Sequence, residues 1–486
     1  MKYTTTIGLE IHVELKTESK MFCSCKNDPL EKEANINICP VCMAHPGTLP
    51  VINEEAVKKV IKTGLAIGCK IALNSGFERK NYFYPDLPKG YQISQYALPL
   101  CRNGFLQTGN KEIRIERIHL EEDTARLIHE KDCSLLDFNR AGVPLMELVT
   151  EPDLTSAEEA QGFAQQLQLI FRYLGVSDAN MEKGQMRVEA NISISKTKKL
   201  GTKVEIKNLN SFKIVRKAIE YEVERQAEVL DRGEKIIQET RGWDEKKQIT
   251  VSQRIKEESH DYRYFPEPDL PSLNFEEKYI QDIKAEIPEL PQNRRIRFKN
   301  EYGLKEADIE IFVSNKDLGE YLEQVVSEFH EWYKSKDNRN IGLKEYKDLA
   351  QIASNYILSD LLGLLGGMSV EDKRFLINPE NFAEFIFLSY KKDITSKISK
   401  TVLKEMFEKG ADPSSIIQEM GLTKIDDKKE LGKIIEEVIS QNLKAVKDFK
   451  DGKEGAFQFL LGQAMAKTKG KASPEILKQL FTKVLK

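Results

Sequence analysis

Two patterns in this chain have residue types and spacing that suit chemistry. The first is residues 7–15, Ile-Gly-Leu-Glu-Ile-His-Val-Glu-Leu, where Ile7, Leu9, Ile11, Val13 and Leu15 alternate with Gly8, Glu10, His12 and Glu14. Successive side chains of a β-strand point to opposite faces, so one face is aliphatic and the other carries two carboxylates and an imidazole. A solvated outer face would accept any polar residues in those places. Oxygen and imidazole ligands side by side also suit a hard divalent cation such as Mg²⁺. The second pattern is Cys23-Ser-Cys25, thirteen residues, then Cys39-Pro-Val-Cys42. Two close cysteine pairs joined by a short loop match a tetrahedral thiolate site for Zn²⁺, closed and therefore structural. Cys69, Cys101 and Cys133 are isolated and read as small apolar side chains.

The logic of the first strand recurs. In 186–194, Met186, Val188, Ala190, Ile192 and Ile194 share one face, and Arg187, Glu189, Asn191 and Ser193 the other. Lys203, Glu205 and Lys207 lie opposite Val204 and Ile206. The segment Arg117–Asp123 concentrates three acids, Glu121, Glu122 and Asp123. Glu147 stands alone in the apolar run Val143–Val149, where a carboxylate is costly unless paired or bound to metal. A structural ion pair is the alternative there. Acids on several strands beside Lys and Arg make a phosphoryl-transfer site: carboxylates hold Mg²⁺, and basic side chains offset the transferred charge. Basic candidates lie around Arg79, Lys80 and Lys89, and in Arg254-Ile-Lys256 and Asp261-Tyr-Arg-Tyr264. There is no glycine-rich P-loop, no dinucleotide fingerprint and no nucleophile elbow. Any nitrogen or acyl transfer therefore needs a second polypeptide.

These segments sit in a recognisable order. A helix is expected over about 54–68, another over 157–174 with the capping box Ser156–Glu159 and a stop at Gly175, and a third from Ser211 to about Asp231. Strands are expected at 113–122, 186–194 and 203–207. Five prolines between Tyr264 and Gln292 mark a boundary, and beyond about 296 the pattern is helical, with a break near Gly410–Pro413. The class is thus α+β, a mixed sheet domain over 1–293 followed by all-α domains over 294–409 and 410–486. At 486 residues several domains are expected. No apolar run approaches the ~18 residues that span a bilayer, and the first strand begins too early for a signal peptide, so a cytoplasmic protein without a membrane partner is expected. The net charge of −3 decides nothing, but Gln441–Lys486 carries ten lysines against four acids. A basic module of this kind contacts nucleic acid or is a solvated helical surface.

The segments IGLEIHVELKTESKMF, RKNYFYPDLPKGYQISQY, HLEEDTA, DFNRAGVPLMELVTEPD, YLGVSDANMEKGQMRVEANIS, GTKVEIKNLNSF and SHDYRYFPEPDLP resemble the B subunits of bacterial aspartyl/glutamyl-tRNA amidotransferases. The resemblance runs nearly end to end, finishing with Gly462-Gln-Ala-Met465 and Lys469–Pro474. It implies a heterotrimer in which this polypeptide uses ATP and Mg²⁺ to phosphorylate the side-chain carboxylate of Glu-tRNA(Gln) or Asp-tRNA(Asn). An amidase, the A subunit, would supply ammonia from glutamine, and the small C subunit would join the two. It further implies a catalytic cradle similar to glutamine synthetase, a helical domain, and a tail that grips tRNA. By motif, Glu10, His12, Glu122, Glu147 and Glu189 would form the Mg²⁺ and phosphoryl-transfer cluster, with Lys80 contacting phosphate or the substrate carboxylate. Arg187, Lys207, Arg254 and Asp261 would bind nucleotide or substrate. Cys23, Cys25, Cys39 and Cys42 place the chain in a zinc-bearing subset of the family.

Overall fold

The structure is a computed structural model that describes residues 3–109, 111–197, 199–255, 262–336, 341–422, 428–468 and 471–485. It divides into two compact units, Met1–Pro291 and Gln292–Lys486.

The first unit is built on one sheet, which among the described residues has nine strands. In chain order these are β1 (Thr4–Glu14), β2 (Lys70–Ile71), β3 (Cys101–Thr108), β4 (Lys111–Glu122), β5 (Pro144–Thr150), β6 (Met186–Ser195), β7 (Val204–Leu209), β8 (Glu239–Asp244) and β9 (Ile249–Ile255). Their spatial order is β9-β8-β7-β6-β1-β5-β4-β3-β2. The β7–β8 pair is parallel and its neighbours are antiparallel, so the sheet is mixed, as expected. β1 lies at the centre, antiparallel to both β5 and β6.

The alternation of β1 explains that central place. Ile7, Leu9, Ile11 and Val13 are each at most 1% exposed, and they join one hydrophobic cluster with the helices behind the sheet. Burying each side chain contributes roughly 1.5–3 kcal/mol, an upper figure because the unfolded chain already hides some apolar surface. The helices are α1 (Glu54–Ala66), α2 (Ala157–Leu174) and α3 (Phe212–Asp231). Each is opened by a side-chain cap: Asn53 accepts from the Ala56 amide, Ser156 from Glu159 and Ser211 from Ile214. Gly175 ends α2 at φ +66°, a left-handed conformation that favours glycine. α1 packs on β3 and β4, α2 on β3 and α3, and α3 on β6, β7 and β9. The opposite face of the sheet is left for polar side chains. A smaller sheet of Glu78–Asn81, Tyr91–Ser94 and Phe265–Pro266 completes the unit's irregular part.

The second unit has no strand among its described residues. Helices Lys316–Lys336, Leu343–Tyr356, Pro379–Tyr390 and Ser396–Lys409 bury Phe329, Tyr333, Ala353, Phe382, Phe385 and Val402. The last helices, from Lys428 onward, have a separate core that includes Leu431, Ile435, Leu460, Ala464, Leu477 and Phe481. The α+β class is therefore observed, and no helix is long and apolar enough to cross a membrane among the described residues.

One close approach fixes how α1 lies on the sheet. A Cβ at Gly64 would sit 2.5 Å from Cys101 Sγ and 3.1 Å from Ile71 Cδ1. Alanine is worth up to about 1 kcal/mol over glycine in a helix, but overpacking here costs about 1–3 kcal/mol. Gly64→Ala is therefore expected to destabilise the first unit, and Cys101→Ala to recover most of the loss. Denaturant unfolding followed by Trp243 fluorescence in a Trp332→Phe chain measures this, since each unit holds one of the two tryptophans. A Gly64→Ala chain as stable as its parent would refute the close packing.

Candidate active site

The register of the sheet assembles the polar face. Glu147 of β5 stands between His12 of β1 and His119 of β4, and His12 is paired on its other side with Arg187 of β6. One step along β1, Glu10 pairs with Glu189 of β6. Glu205 of β7 pairs with Asn191 two residues beyond, so the acidic row continues across β7. Alternate residues of each strand show this face, and where the β6–β7 register shifts between Val188 and Ala190 a bulge still leaves Glu189 and Glu205 on it.

The contacts are close. His12 Nε2 lies 3.3 Å from Glu147 Oε2, 3.7 Å from Glu10 and 3.8 Å from Glu121. His119 Nε2 lies 3.4 Å from the same Glu147 oxygen and 3.7 Å from Glu121. Arg117 reaches Glu147 at 3.6 Å. Three donor sets have their ligand atoms within 4.8 Å of one another: Glu10–His12–Glu147, His119–Glu121–Glu147 and Glu10–Glu189–Glu205. Shared Glu10 and Glu147 make these sets one connected site, rich in hard oxygen donors that suit Mg²⁺. Buried His119 Nδ1 has no hydrogen-bond partner.

Proton affinities show how crowded the charge is. Burial works against a charge on His12, yet the hydrogen bond and charge of Glu147, with Glu121 and Glu10 behind it, push its pKa up to about 9. His119 reaches about 9 by the same balance of burial against Glu147 and Glu121. Burial alone would raise Glu147, but the charges and hydrogen bonds of His119 and His12 hold it well below the usual carboxylate range. Burial and Glu147 together push Glu10 up to about 7.

Two lysines flank the row. Lys207 of β7 donates to Glu189 at 2.7 Å and lies 3.3 Å from Glu205. Lys80 comes from the smaller sheet, its ammonium 5.2 Å from the centre of the Tyr262 ring. Burial opposes the Lys80 charge, but Glu121, Tyr264 and Glu147 more than offset it and raise its pKa. Tyr262 contacts Tyr82 and Tyr264 edge-on, and Tyr264 stacks on Tyr96 at 4.7 Å, forming an aromatic wall beside this lysine.

The structure thus brings together Glu10, His12, Glu147, Glu189, Lys207 and Lys80. It does not bring Glu122 to them. Glu121 and Glu122 are consecutive on β4 and point to opposite faces; the Glu121 side chain shares the row, while Glu122 accepts from the Ile93 amide at 2.9 Å and pairs with Lys89. Glu122 lines a separate cavity of about 270 Å³ with Cys42, Lys89 and Tyr91. Arg187 is held by Asp123 at 2.9 Å. Arg254 belongs to β9, where its backbone pairs with Thr240 of β8, and β9 lies four strands from β1, about 19 Å at normal strand spacing. Asp261 lies outside the described residues. Sequence reasoning passed over His119, Glu121 and Glu205 as ligands, although the alternation of Ile118 and Leu120 with His119 and Glu121 marks the polar parity.

The four cysteines also converge. The Sγ atoms of Cys23, Cys25, Cys39 and Cys42 lie within 4.8 Å of one another in the loop between β1 and α1. A soft four-thiolate set of this size fits Zn²⁺.

Comparison with known proteins decides the family. Residues 5–281 match the model of the GatB/GatE catalytic domain, and 341–485 match that of the GatB domain. The chain belongs to the GatB/GatE family. It is 46% identical over 497 residues to the B subunit of the aspartyl/glutamyl-tRNA(Asn/Gln) amidotransferase of Thermotoga maritima, covering 100% of this chain and 99% of that one. It is 46% identical over 492 residues to the corresponding polypeptide of Caldanaerobacter subterraneus subsp. tengcongensis, with both chains fully covered. For Persephonella marina the identity is 45% over 492 residues, again with full coverage. Every member of the acidic row and all four cysteines fall inside the segment that matches the GatB/GatE catalytic domain.

The split between Glu121 and Glu122 is testable with Mn²⁺ in place of Mg²⁺. Glu121→Gln is expected to weaken Mn²⁺ binding, read by electron paramagnetic resonance, by about 10- to 100-fold, the loss typical of disturbed metal shells. Glu122→Gln is expected to leave it within about twofold while lowering thermal stability, because Lys89 loses its buried anion. The reverse ranking would return Glu122 to the cluster.

Proposed function

We propose that this chain is the B subunit of a heterotrimeric ATP-dependent carbon–nitrogen ligase acting on misacylated tRNA. It would phosphorylate the side-chain carboxylate of Glu-tRNA(Gln), Asp-tRNA(Asn) or both. Ammonia released from glutamine by an amidase, the A subunit, with the small C subunit completing the assembly, would then give Gln-tRNA(Gln) or Asn-tRNA(Asn). The observation that carries this reading is the acidic row of β4, β5, β1, β6 and β7 inside a catalytic-domain match, with a lysine at each end.

The chemistry asks two anions to meet, the substrate carboxylate and the terminal phosphate of ATP. A carboxylate oxygen bonds to phosphorus, the bond to the ADP oxygen breaks, and ammonia later displaces phosphate from the acyl phosphate. Mg²⁺ held by Glu10, His12, Glu147 and the neighbouring acids would neutralise phosphate charge. This chain's own side chains do the rest. Lys80 offers a positive charge that its acidic neighbours keep protonated, and it opposes the repulsion between the reacting anions. Lys207 holds Glu189 and Glu205 in place. Tyr262 and Tyr264, packed edge-on beside Lys80, would help keep water from the acyl phosphate until ammonia arrives.

Zinc in the four-cysteine site would be structural, since four protein ligands leave no open position. Domain roles follow the same reading: 1–293 for chemistry, 294–409 as a helical connection and 410–486 as the tRNA-binding tail. In the tail, helix Leu443–Lys450 buries no residue and carries Lys444, Lys447 and Lys450 at its surface. Lysines presented this way contact a phosphate backbone and make binding salt-dependent.

The test is ATP cleavage by the chain with its two partner polypeptides, with and without Glu-tRNA(Gln). Cleavage is expected to depend on the misacylated tRNA and to yield Gln-tRNA once glutamine is added. Glu10→Ala should abolish the cleavage and leave tRNA affinity within about twofold; cleavage retained in that variant would sink the site assignment. Deleting 411–486 should weaken tRNA binding at least about tenfold, a loss of some 1.4 kcal/mol. An unchanged affinity would remove the tail's role.

A further inference from the structure

Lys20 is 0% exposed. Its ammonium donates to the Phe138 carbonyl at 3.1 Å and points at Cys42 Sγ at 3.8 Å. Among the described residues no carboxylate forms an ion pair with it. Withdrawing an ammonium from water costs several kcal/mol unless an opposite charge meets it, and a carbonyl supplies a dipole rather than a charge. The anion-forming group in contact with this ammonium is the sulfur of a cysteine that belongs to the four-cysteine site.

The main chain of Lys20 reaches the other half of that site. Its amide donates to the Cys25 carbonyl at 2.9 Å, and its neighbour Ser19 bridges to Lys26, so Lys20 closes the turn carrying Cys23 and Cys25. The side chain then crosses to Cys42, whose sulfur also accepts the Cys39 amide at 3.2 Å. One residue thus ties both cysteine pairs, by backbone to the first and by charge to the second. Four thiolates around Zn²⁺ carry a net charge of −2, and a lysine against one of them halves it.

We propose that Lys20 is a positioning residue of the four-cysteine site, its buried ammonium compensating the charge of the zinc–thiolate cluster and holding Cys42 for the metal. This rests on the zinc reading above. The charge accounting works in both directions. With the thiolates present, the lysine has its counterion; without them, it is a buried cation whose only other partner among the described residues is a carbonyl.

The experiment uses the full chain and two backgrounds. In the parent, Lys20→Met is expected to weaken Zn²⁺ binding by about 10- to 100-fold, measured by competition with a chromophoric chelator. It should also shift the sulfur-to-metal charge-transfer band of the Co²⁺-substituted protein. In a chain with Cys23, Cys25, Cys39 and Cys42 all replaced by Ser, the same Lys20→Met is expected to raise the melting temperature, because it removes an uncompensated charge. If Lys20→Met does not fold in the parent, the serine background decides alone. A zinc-loaded parent whose affinity is unchanged by Lys20→Met overturns the assignment. So does a lower melting temperature in both backgrounds, which would make Lys20 a support for the Phe138 carbonyl and nothing more. A parent that takes up no zinc fails the zinc reading itself, and the role of Lys20 falls with it.

Discussion

A carboxylate shut away from water on a central strand of the large sheet has to be met by charge, and Glu147 is met on both of its oxygens. His12 and His119 approach one of its oxygens from either side at 3.3 and 3.4 Å, and Arg117 approaches the other. This contact constrains the whole sheet. A slip of β5 by one residue against β1 would turn Glu147 into the aliphatic layer and bring Leu148 out to the imidazoles. Hydrophobic burial behind the sheet and charge pairing in front of it therefore select the same register. Neither face alone has to carry that specificity. The aliphatic side supplies bulk stabilisation, while the polar side penalises the wrong pairing by several kcal/mol for each stranded charge.

How much of this could be read beforehand depends on what each property is local to. Alternation is local, so the two-faced character of 7–15 and 186–194 was visible in sequence and is present in β1 and β6. Helix caps are local too, and α2 starts after Ser156 and stops before Gly175 as its capping residues require. Strand adjacency is not local. The order β9-β8-β7-β6-β1-β5-β4-β3-β2 departs from chain order at the centre, and nothing in the segment Arg117–Asp123 alone says that it lies two strands from β1. The motif resemblance pointed to Glu122, whereas its neighbour Glu121 is the acid that faces the row. Parity with His119 picks out Glu121, but only once β5 is known to align Glu147 with His119 rather than with Leu120. Glu205 escaped for a similar reason: it neighbours Lys207, and its partnership with Glu10 and Glu189 spans three strands.

The four-cysteine loop belongs to the same economy of structure. Between Glu14 and Glu54 the chain forms no helix or strand element, and it is held instead at its roots. Met21 donates to the Gly142 carbonyl at 2.7 Å and accepts from the Asn53 amide at 2.9 Å, while the Asn53 side chain both caps α1 and donates to Ser19. A metal joining Cys23 and Cys25 to Cys39 and Cys42 would close the stretch that these roots leave open, and loop closure of this kind stabilises chiefly by restricting the unfolded chain. The cavity with Glu122 and Lys89 is lined in part by Cys23 and Cys42. The loop therefore forms a wall of the domain, and its stiffness bears on side chains just across the sheet from the acidic row.

The two lysines beside that row differ in a way that assigns them different work. Lys207 grows from the sheet itself and is already engaged by Glu189 and Glu205 at 2.7 and 3.3 Å. Drawing it toward an incoming anion would take its charge from both acids beside Glu10, so that charge is committed to holding the row together. Lys80 comes from the smaller sheet and rests against the face of Tyr262, with no carboxylate in ion-pair contact among the described residues. A cation–π contact is worth only about 0.5–2 kcal/mol, less than the interaction an ammonium gains with a phosphate in a site shielded from water. Lys80 can therefore exchange its aromatic partner for a charged one at small cost, while remaining protonated because Glu121 and Glu147 keep it so. A site that brings two anions together, as proposed above, needs one cation that stays and one that can turn to the substrate, and the two sheets place Lys207 and Lys80 to fill those parts.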